Sequence, residues 1–520
     1  MRTRLPLFAV ASLALAATAI AQPSYQIYDI GVVQTGDTAS QGLRASPAGA
    51  AVGRSLRSGA SQAFIWTAAG GTVGLPNLAS RNFCVANSAN DNGIVVGSGA
   101  TTAFGSGRLP VIWNNGVVSQ LPLPSGQTIG DANSVNASGV AVGSVNSGSL
   151  QRGAIYSGGT ATIISQTTAN GSFFITAFGN NNAGRVVGQG IDPNNAAVNV
   201  GIVYDTSTNT AFDVGALPEH NGALAFGVSN AGHVVGSSML NQGSGLPFIW
   251  TSTGGIAAIP LPTGTSQGSA RAVNSTGWAV GIASSAFAIP FLYDGTTTYR
   301  LADLLPGGSD WDLSMNTSSS ALGISDNGVI VGTGVRNGAT RAYAMVPTLQ
   351  LASAVSRKTH GTAGTFDIPF GFTTTPGVEC RRGTPAGSHT IILTFSNAVV
   401  SGNAAVTNGT GNVSGAPTFD GKTMTINLTN VTDVQTITMS LSNVTDTFAQ
   451  VITEAALNLH MLIGDSNGNK SVTASDIGQV KGQAGATATS ANFRTDFDAN
   501  GSVTASDIGQ VKATAGNTLP

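Results

Sequence analysis

Apolar and polar positions between residues 25 and 346 repeat one arrangement: a short alternating segment, a polar turn ending in glycine, a brief apolar run and a closing glycine. It occurs at 45–53 (ASPAGAAVG), 87–97 (NSANDNGIVVG), 132–143 (ANSVNASGVAVG), 177–188 (AFGNNNAGRVVG), 225–236 (AFGVSNAGHVVG), 270–281 (ARAVNSTGWAVG) and 321–332 (ALGISDNGVIVG). The closing glycines (Gly53, Gly97, Gly143, Gly188, Gly236, Gly281 and Gly332) stand 44 to 51 residues apart. Each repeat continues into an apolar strand ending in an aromatic residue: Phe64-Ile65-Trp66, Val111-Ile112-Trp113, Ala154-Ile155-Tyr156, Ile202-Val203-Tyr204, Phe248-Ile249-Trp250 and Phe291-Leu292-Tyr293. The seventh, Ala342-Tyr343-Ala344, is irregular. A last strand such as Gly71-Thr-Val-Gly-Leu75 or Val117-Val-Ser-Gln-Leu121 brings each unit to four, with Asn-Gly, Ser-Gly and Ala-Gly pairs at the hairpin turns. Period and strand count predict a seven-bladed β-propeller over residues 22–348. Tyr25-Gln-Ile-Tyr-Asp-Ile30 reads as the outer strand that the seventh repeat lacks. Its pairing there is expected to close the sheet edges.

From residue 349 the period-two alternation of His389-Thr-Ile-Ile-Leu-Thr-Phe395, Thr423-Met-Thr-Ile-Asn-Leu-Thr429 and Gln435-Thr-Ile-Thr-Met-Ser-Leu441 takes over. One buried face per strand and intervening turns predict an immunoglobulin-like β-sandwich over 349–462, read as a spacer. Its phenylalanines, Phe366, Phe370, Phe372, Phe395, Phe419 and Phe448, read as core rather than as a sugar-binding platform.

Composition sharpens this mainly β reading. With 69 glycines and only 9% charged residues, the chain lacks the charged helix surfaces of a helical enzyme. A net charge of −2 offers no clustered cations for nucleic acid or anionic lipid. The start, Met1-Arg-Thr-Arg and an apolar run from Leu5 to Ile20, reads as an export signal over residues 1–21 cut after Ala21. A secreted or cell-surface chain with no membrane span in its mature form is expected. Cys84 and Cys380 lie too far apart for a disulfide framework and read as buried thiols. The repeat run and its following Phe-Ile-Trp resemble the HAF-repeat family of extracellular bacterial proteins over residues 25 to about 346. That resemblance implies fold and location, with no particular activity.

The chemistry-bearing motif closes the chain. Asp465-SNGNKSVTAS-Asp476 and Asp496-FDANGSVTAS-Asp507 are near-copies, each followed by a short amphipathic helix carrying Ile477 and Val480 or Ile508 and Val511. Oxygen donors recur at positions 1, 3, 5, 9 and 12: Asp465, Asn467, Asn469, Thr473 and Asp476, then Asp496, Asp498, Asn500, Thr504 and Asp507, with Ser471 and Ser502 offering a backbone carbonyl at position 7. Twelve-residue spacing of hard oxygen ligands predicts two calcium ions. One helix per loop, and Asp at position 12, resemble a type I dockerin over 463–520. The resemblance implies calcium-dependent docking onto a cohesin module through Ala474, Ser475 and Lys481, or through Ala505, Ser506 and Lys512 in a pseudo-twofold arrangement. The first loop has Asn469 and Lys470 where that family commonly has Asp and Gly. Two carboxylates against three, and a lysine in a glycine-type turn, predict weaker binding in the first loop.

Enzyme motifs are sparse. Gly264-Thr-Ser-Gln-Gly268 fits G-x-S-x-G but lies between predicted strands instead of in a strand-to-helix elbow. His220, His233, His360, His389 and His460 show no metal spacing. Asp303, Asp310 and Asp312 around Trp311 read as a loop rather than as a general acid and base. The sequence favours a secreted, non-catalytic binding or display protein held by its dockerin, with a channel lined by Gly, Ser and apolar residues. The alternative is a polysaccharide-degrading enzyme, a hydrolase of O-glycosyl bonds or a lyase, with converging carboxylates in that channel.

Overall fold

The computed structural model describes residues 22–148, 150–240, 243–370, 377–383 and 385–519. The expected export signal, with its cut near Ala21, falls outside them, as does Phe372. The chain is mainly β. Over residues 25–347 the repeats form successive antiparallel units in a β-propeller-like arrangement, most of them four-stranded sheets such as Ile129–Val135, Ala141–Asn146, Gln151–Ser157 and Thr160–Ile163; a parallel bridge between Ser61 and Phe83 joins the first two into one eight-stranded sheet, and the last sheet has five strands. In the last repeat Ser320–Ile324, Ile330–Arg336 and Ala339–Pro347 are joined by Tyr25–Gly31, which sets Tyr25 opposite Pro347 and Ile27 opposite Met345. The N-terminal segment thus supplies the outer strand of the last repeat.

The repeat motif has a physical explanation in the turns. Asn90 Oδ1 accepts the backbone N–H of Asn92 and Ile94, holding its own hairpin, while Asn90 Nδ2 donates to Asn136 O of the next repeat at 2.9 Å. Asn136 does the same toward Asn181 and Asn181 toward Ser229. Where serine replaces asparagine, as at Ser229 and Ser325, the hydroxyl still accepts the i+4 N–H of its own turn. From the seventh repeat, Asp326 N–H donates to Pro47 O and Asn327 Nδ2 to Ala48 O of the first.

The closing glycines answer to a different constraint from the turn glycines. Each innermost strand carries a β-bulge opposite its closing glycine, leaving Leu43, Asn87, Asn133, Phe178, Phe226, Arg271 and Leu322 unpaired, and Phe173–Asn180 has a further irregularity at Ile175. Opposite the bulge sits the closing glycine, where a Cβ would overlap the carbonyl before it: Asp131 O for Gly143, Leu224 O for Gly236. At Gly53, Gly236, Gly281 and Gly332 an aromatic ring of the third strand also fills the space. Tyr343 is such a ring, paired with Gly332 as Phe248 is with Gly236. The seventh repeat is therefore in register, and its irregular look comes from a tyrosine at the phenylalanine position, whose hydroxyl donates to Ser320 O at 2.7 Å.

Between 349 and 462 two sheets face one core. Leu351–His360, Gly364–Phe370, His389–Phe395 and Thr423–Thr429 belong to one sheet, Val399–Asn408, Gln435–Asp446 and Val451–Met461 to the other. Ile391, Leu393, Phe395, Met424 and Ile426 meet Ile437, Met439, Leu441 and Leu459 between them. Phe370, Phe395 and Phe448 are buried. Phe448 packs with Ile30 and Val346 of the repeat region. Both cysteines are buried free thiols.

Candidate metal centre

Two short helices follow the predicted loops, α1 (Ala474–Gly482) and α2 (Ala505–Ala513). Each begins with a capping box. Thr473 Oγ1 accepts Ser475 N–H, and Asp476 Oδ2 accepts the N–H and hydroxyl of Thr473 at 2.9 and 3.1 Å. Thr504, Ser506 and Asp507 repeat this in α2. The position-9 threonines that the sequence offered as ligands thus have hydroxyls engaged as helix caps. Val480 and Val511 are buried, and the capping boxes hold Asp476 and Asp507 at the helix starts, inside their loops.

The loops fold around their first aspartates. Asp465 Oδ1 accepts the N–H of Gly468 and Asn469, and Oδ2 that of Lys470. In the second loop Asp496 accepts from Asn500 N–H and Gly501 N–H. The side-chain oxygens of Asn467, Asn469, Asp498 and Asn500 each accept the N–H two residues on. In the second loop, carboxylate oxygens of Asp496, Asp498 and Asp507 lie within 4.8 Å of one another. Three converging carboxylates with amide and carbonyl oxygens nearby suit a hard divalent cation such as calcium. Burial and the neighbouring Asp507 push the Asp498 carboxyl up, a repulsion that a bound cation would relieve.

The first loop has two such carboxylates, Asp465 and Asp476, and burial pushes Asp465 up. Two basic residues belong to this loop or border it. Lys470 stands at φ 69, the left-handed turn expected of it. Arg494, not singled out from the sequence, donates to Asp465 O at 3.0 Å and to Ser466 O at 2.8 Å. Backbone strain, however, does not separate the loops, because Ala499 at position 4 of the second loop is also left-handed, φ 56. Charge therefore carries the predicted inequality.

His360 is a second residue whose role here sequence reasoning missed. From the sandwich it reaches the second loop, Nδ1 lying 2.8 Å from Asp496 Oδ2, with both side chains fully buried. Arg381 Nη1, a donor only, faces the other ring nitrogen at 3.3 Å, so Nε2 accepts and Nδ1 carries the hydrogen. Burial raises the Asp496 pKa, but the hydrogen bonds from His360 and Gly501 hold it below the ordinary carboxylate value. Gly361 N–H donates to Ala499 O, and Arg381 is clamped by Glu379 through two bonds of 2.8 Å. No sequence signal marks this contact, since 136 residues separate His360 from Asp496. Beneath it Ile368, Val378 and Cys380 share one core with Val472, Val480, Phe497 and Val511.

The expected partner-binding residues form two exposed sets, Ala474, Ser475 and Lys481 on α1 and Ala505, Ser506 and Lys512 on α2. Other sequence candidates find structural partners. The Gly264 to Gly268 motif runs into the strand Gln267–Val273 instead of a helix. Asp310 pairs with Arg336, which also pairs with Asp29. Asp312 caps the N–H of Ser314 and Met315. His220, His233 and His460 each meet a hydroxyl.

Residues 463–514 match the dockerin type I domain family. Such domains bind calcium and attach to cohesin modules, and are typical of extracellular or cell-surface proteins. No curated protein matches the chain in sequence. Among solved structures it is similar to a prolyl endopeptidase, at 8% identity over 68% of this chain and 54% of that one, TM-score 0.34. It is also similar to the β-propeller domain of the Trilobed protease from Pyrococcus furiosus, at 10% identity over 52% and 84%, TM-score 0.30. Porphyromonas gingivalis dipeptidyl peptidase 4 gives 8% over 69% and 65%, TM-score 0.33. The chain spans about half the length of the prolyl endopeptidase it matches. Among the described residues no helix is long and apolar enough to cross a membrane.

Proposed function

We propose that this is a secreted, non-catalytic binding or display protein that docks through its C-terminal module. In this reading, residues 1–21 are an export signal and 22–348 a closed seven-bladed propeller of HAF-like repeats. Residues 349–462 are an immunoglobulin-like spacer and 463–520 a dockerin holding two calcium ions. The loop ligands are those predicted, with Asp496, Asp498 and Asp507 forming the stronger site. The cohesin-like partner is contacted through the exposed set on α1 or that on α2.

The observation that carries this reading is the convergence of three carboxylates at the start of a helix whose first turn leaves Ala505 and Ser506 exposed. The cavity mouth beside the repeat turns favours binding over hydrolysis. Its acids, Asp91 and Asp326, accept the N–H of Ala48 and Ser275 at 3.0 and 2.8 Å, so each serves a neighbouring turn. The test is calorimetric titration of the mature chain with calcium, then capture on an immobilised type I cohesin with and without chelator. Two ions and chelator-sensitive capture are expected. No calcium uptake, or capture indifferent to chelator, would sink the docking reading, and release of reducing ends from polysaccharide would favour the enzyme alternative.

A further inference from the structure

The cavity among the repeats is lined neither by the glycine and serine of a bland channel nor by the carboxylates of a hydrolase. The bulge residues, one from each repeat, surround about 350 Å³ together with Arg44. A bulge re-aims its side chain, so this is the position at which each repeat contributes its own chemistry to a shared space. Asn87 and Asn133 donate to Ala132 O and Ala177 O at 2.9 and 3.0 Å, serving repeat-to-repeat contact. Phe178 and Phe226, with ring centroids 5.3 Å apart, give an apolar wall.

The remaining contributors are cations. Arg44 donates to Phe226 O at 3.2 Å, and among the described residues most of its five N–H groups meet no acceptor. The Arg271 guanidinium lies 4.2 Å from the Phe226 ring centroid, and its Nε, shielded from solvent, meets no acceptor among the described residues. Among those residues neither arginine has a carboxylate within salt-bridge distance. Burial lowers the Arg44 pKa to about 10, with the charge of Arg271 pushing the same way. Two half-buried like charges facing one cavity without a counter-charge repel each other and serve no evident structural purpose.

We propose that this cavity binds a small organic anion, its carboxylate between Arg44 and Arg271 and its apolar body against Phe178 and Phe226. The volume matches a small-molecule site, and guanidinium forks match carboxylate geometry. The proposal deepens the binding reading above and rests on it only for the purpose of the repeat region.

The probe is benzoate, titrated calorimetrically into the calcium-saturated mature chain, with benzyl alcohol and inorganic sulfate as comparisons. One benzoate per chain is expected, bound at least tenfold more tightly than either comparison. Arg271→Gln and Arg44→Gln should each weaken it at least tenfold. Because each variant removes an uncompensated charge, the ligand-free proteins should melt no lower than the parent. A structural arginine would give the opposite result. Unchanged benzoate affinity in Arg271→Gln, no preference over benzyl alcohol or sulfate, or a lowered melting temperature would overturn the proposal. The same variants should still be captured on cohesin in a chelator-sensitive way, which separates failure of this site from failure of docking.

Discussion

Replacing Gly143 with alanine should unfold the repeat region far more readily than its one added carbon suggests. The new Cβ would overlap Asp131 O and stand 2.8 Å from Asp131 C and 3.0 Å from Ala132 Cα, all backbone atoms of the bulged strand. Carbon atoms rest at about 3.5 Å, so relief of the carbon contacts alone needs a shift of about 0.7 Å, and the oxygen demands more. No rotamer can absorb this, and the strand pair must open. Overpacking costs about 1–3 kcal/mol, and loss of two flanking ladder hydrogen bonds adds about 1 kcal/mol each, giving roughly 3–5 kcal/mol. Gly307→Ala is the control, since its Cβ would meet nothing within 4 Å and its φ is not positive. It should change stability by less than about 0.5 kcal/mol. All five tryptophans, Trp66, Trp113, Trp250, Trp278 and Trp311, lie in the repeats, so fluorescence in urea reports this region alone. With an m-value of about 3 kcal/mol/M or more, the midpoint should fall by about 1 M. Coincident midpoints for the two variants would refute the close-approach explanation of the repeat glycines.

Glu379→Gln should cost about 3–5 kcal/mol at neutral pH by calorimetry, because it leaves the Arg381 guanidinium buried without its counter-charge. The Glu379 carboxyl is buried, yet Arg381 beside it holds its pKa far below the usual range. Its stabilisation is complete above an unfolded pKa near 4.3 and is lost as pH falls below that. His389 acts in a window above it: burial lowers its pKa to about 4 from 6.5, so the unfolded chain takes up the proton first between those values. Stability should fall by about 1–3 kcal/mol from pH 6.5 to 4, and His389→Gln should flatten that slope in calorimetric scans. Calcium titration should resolve unequal sites, with Asp507→Asn removing the tighter and Asp476→Asn the weaker; equal affinities would contradict the charge argument. His360→Ala should destabilise the C-terminal module by about 2–4 kcal/mol through the lost contact to Asp496, seen as earlier loss of cohesin capture on heating.

What sequence revealed and what it concealed divide along the distance over which the chain must be read. The turn asparagines and glycines act within four residues, so their pattern gave the hairpins directly. Asn90 holding Ile94 N–H is the pattern at atomic scale. The pairing of the N-terminal strand followed from arithmetic on repeats and needed no contact information. The bulges were illegible, because a single inserted residue leaves apolar alternation almost unchanged while turning one side chain into the cavity. Arg44 and Arg271 were accordingly read as nothing in particular. Loop ligands were legible as a twelve-residue spacing, but the strain of Ala499 and the approach of Arg494 and His360 depend on tertiary packing.

Only Leu462, Ile463 and Gly464 separate the strand Val451–Met461 from Asp465. Leu462 is buried, and Ile463 N–H donates to Asp433 Oδ1 at 2.8 Å. A flexible linker of twenty residues would let its ends wander by about 25 Å, so a tethered cargo would sample every direction. This junction permits no such search. Once the plug is seated, the helix it docks through sets the bearing of everything upstream, and copies seated through the same helix on a row of identical receptors would all face the same way.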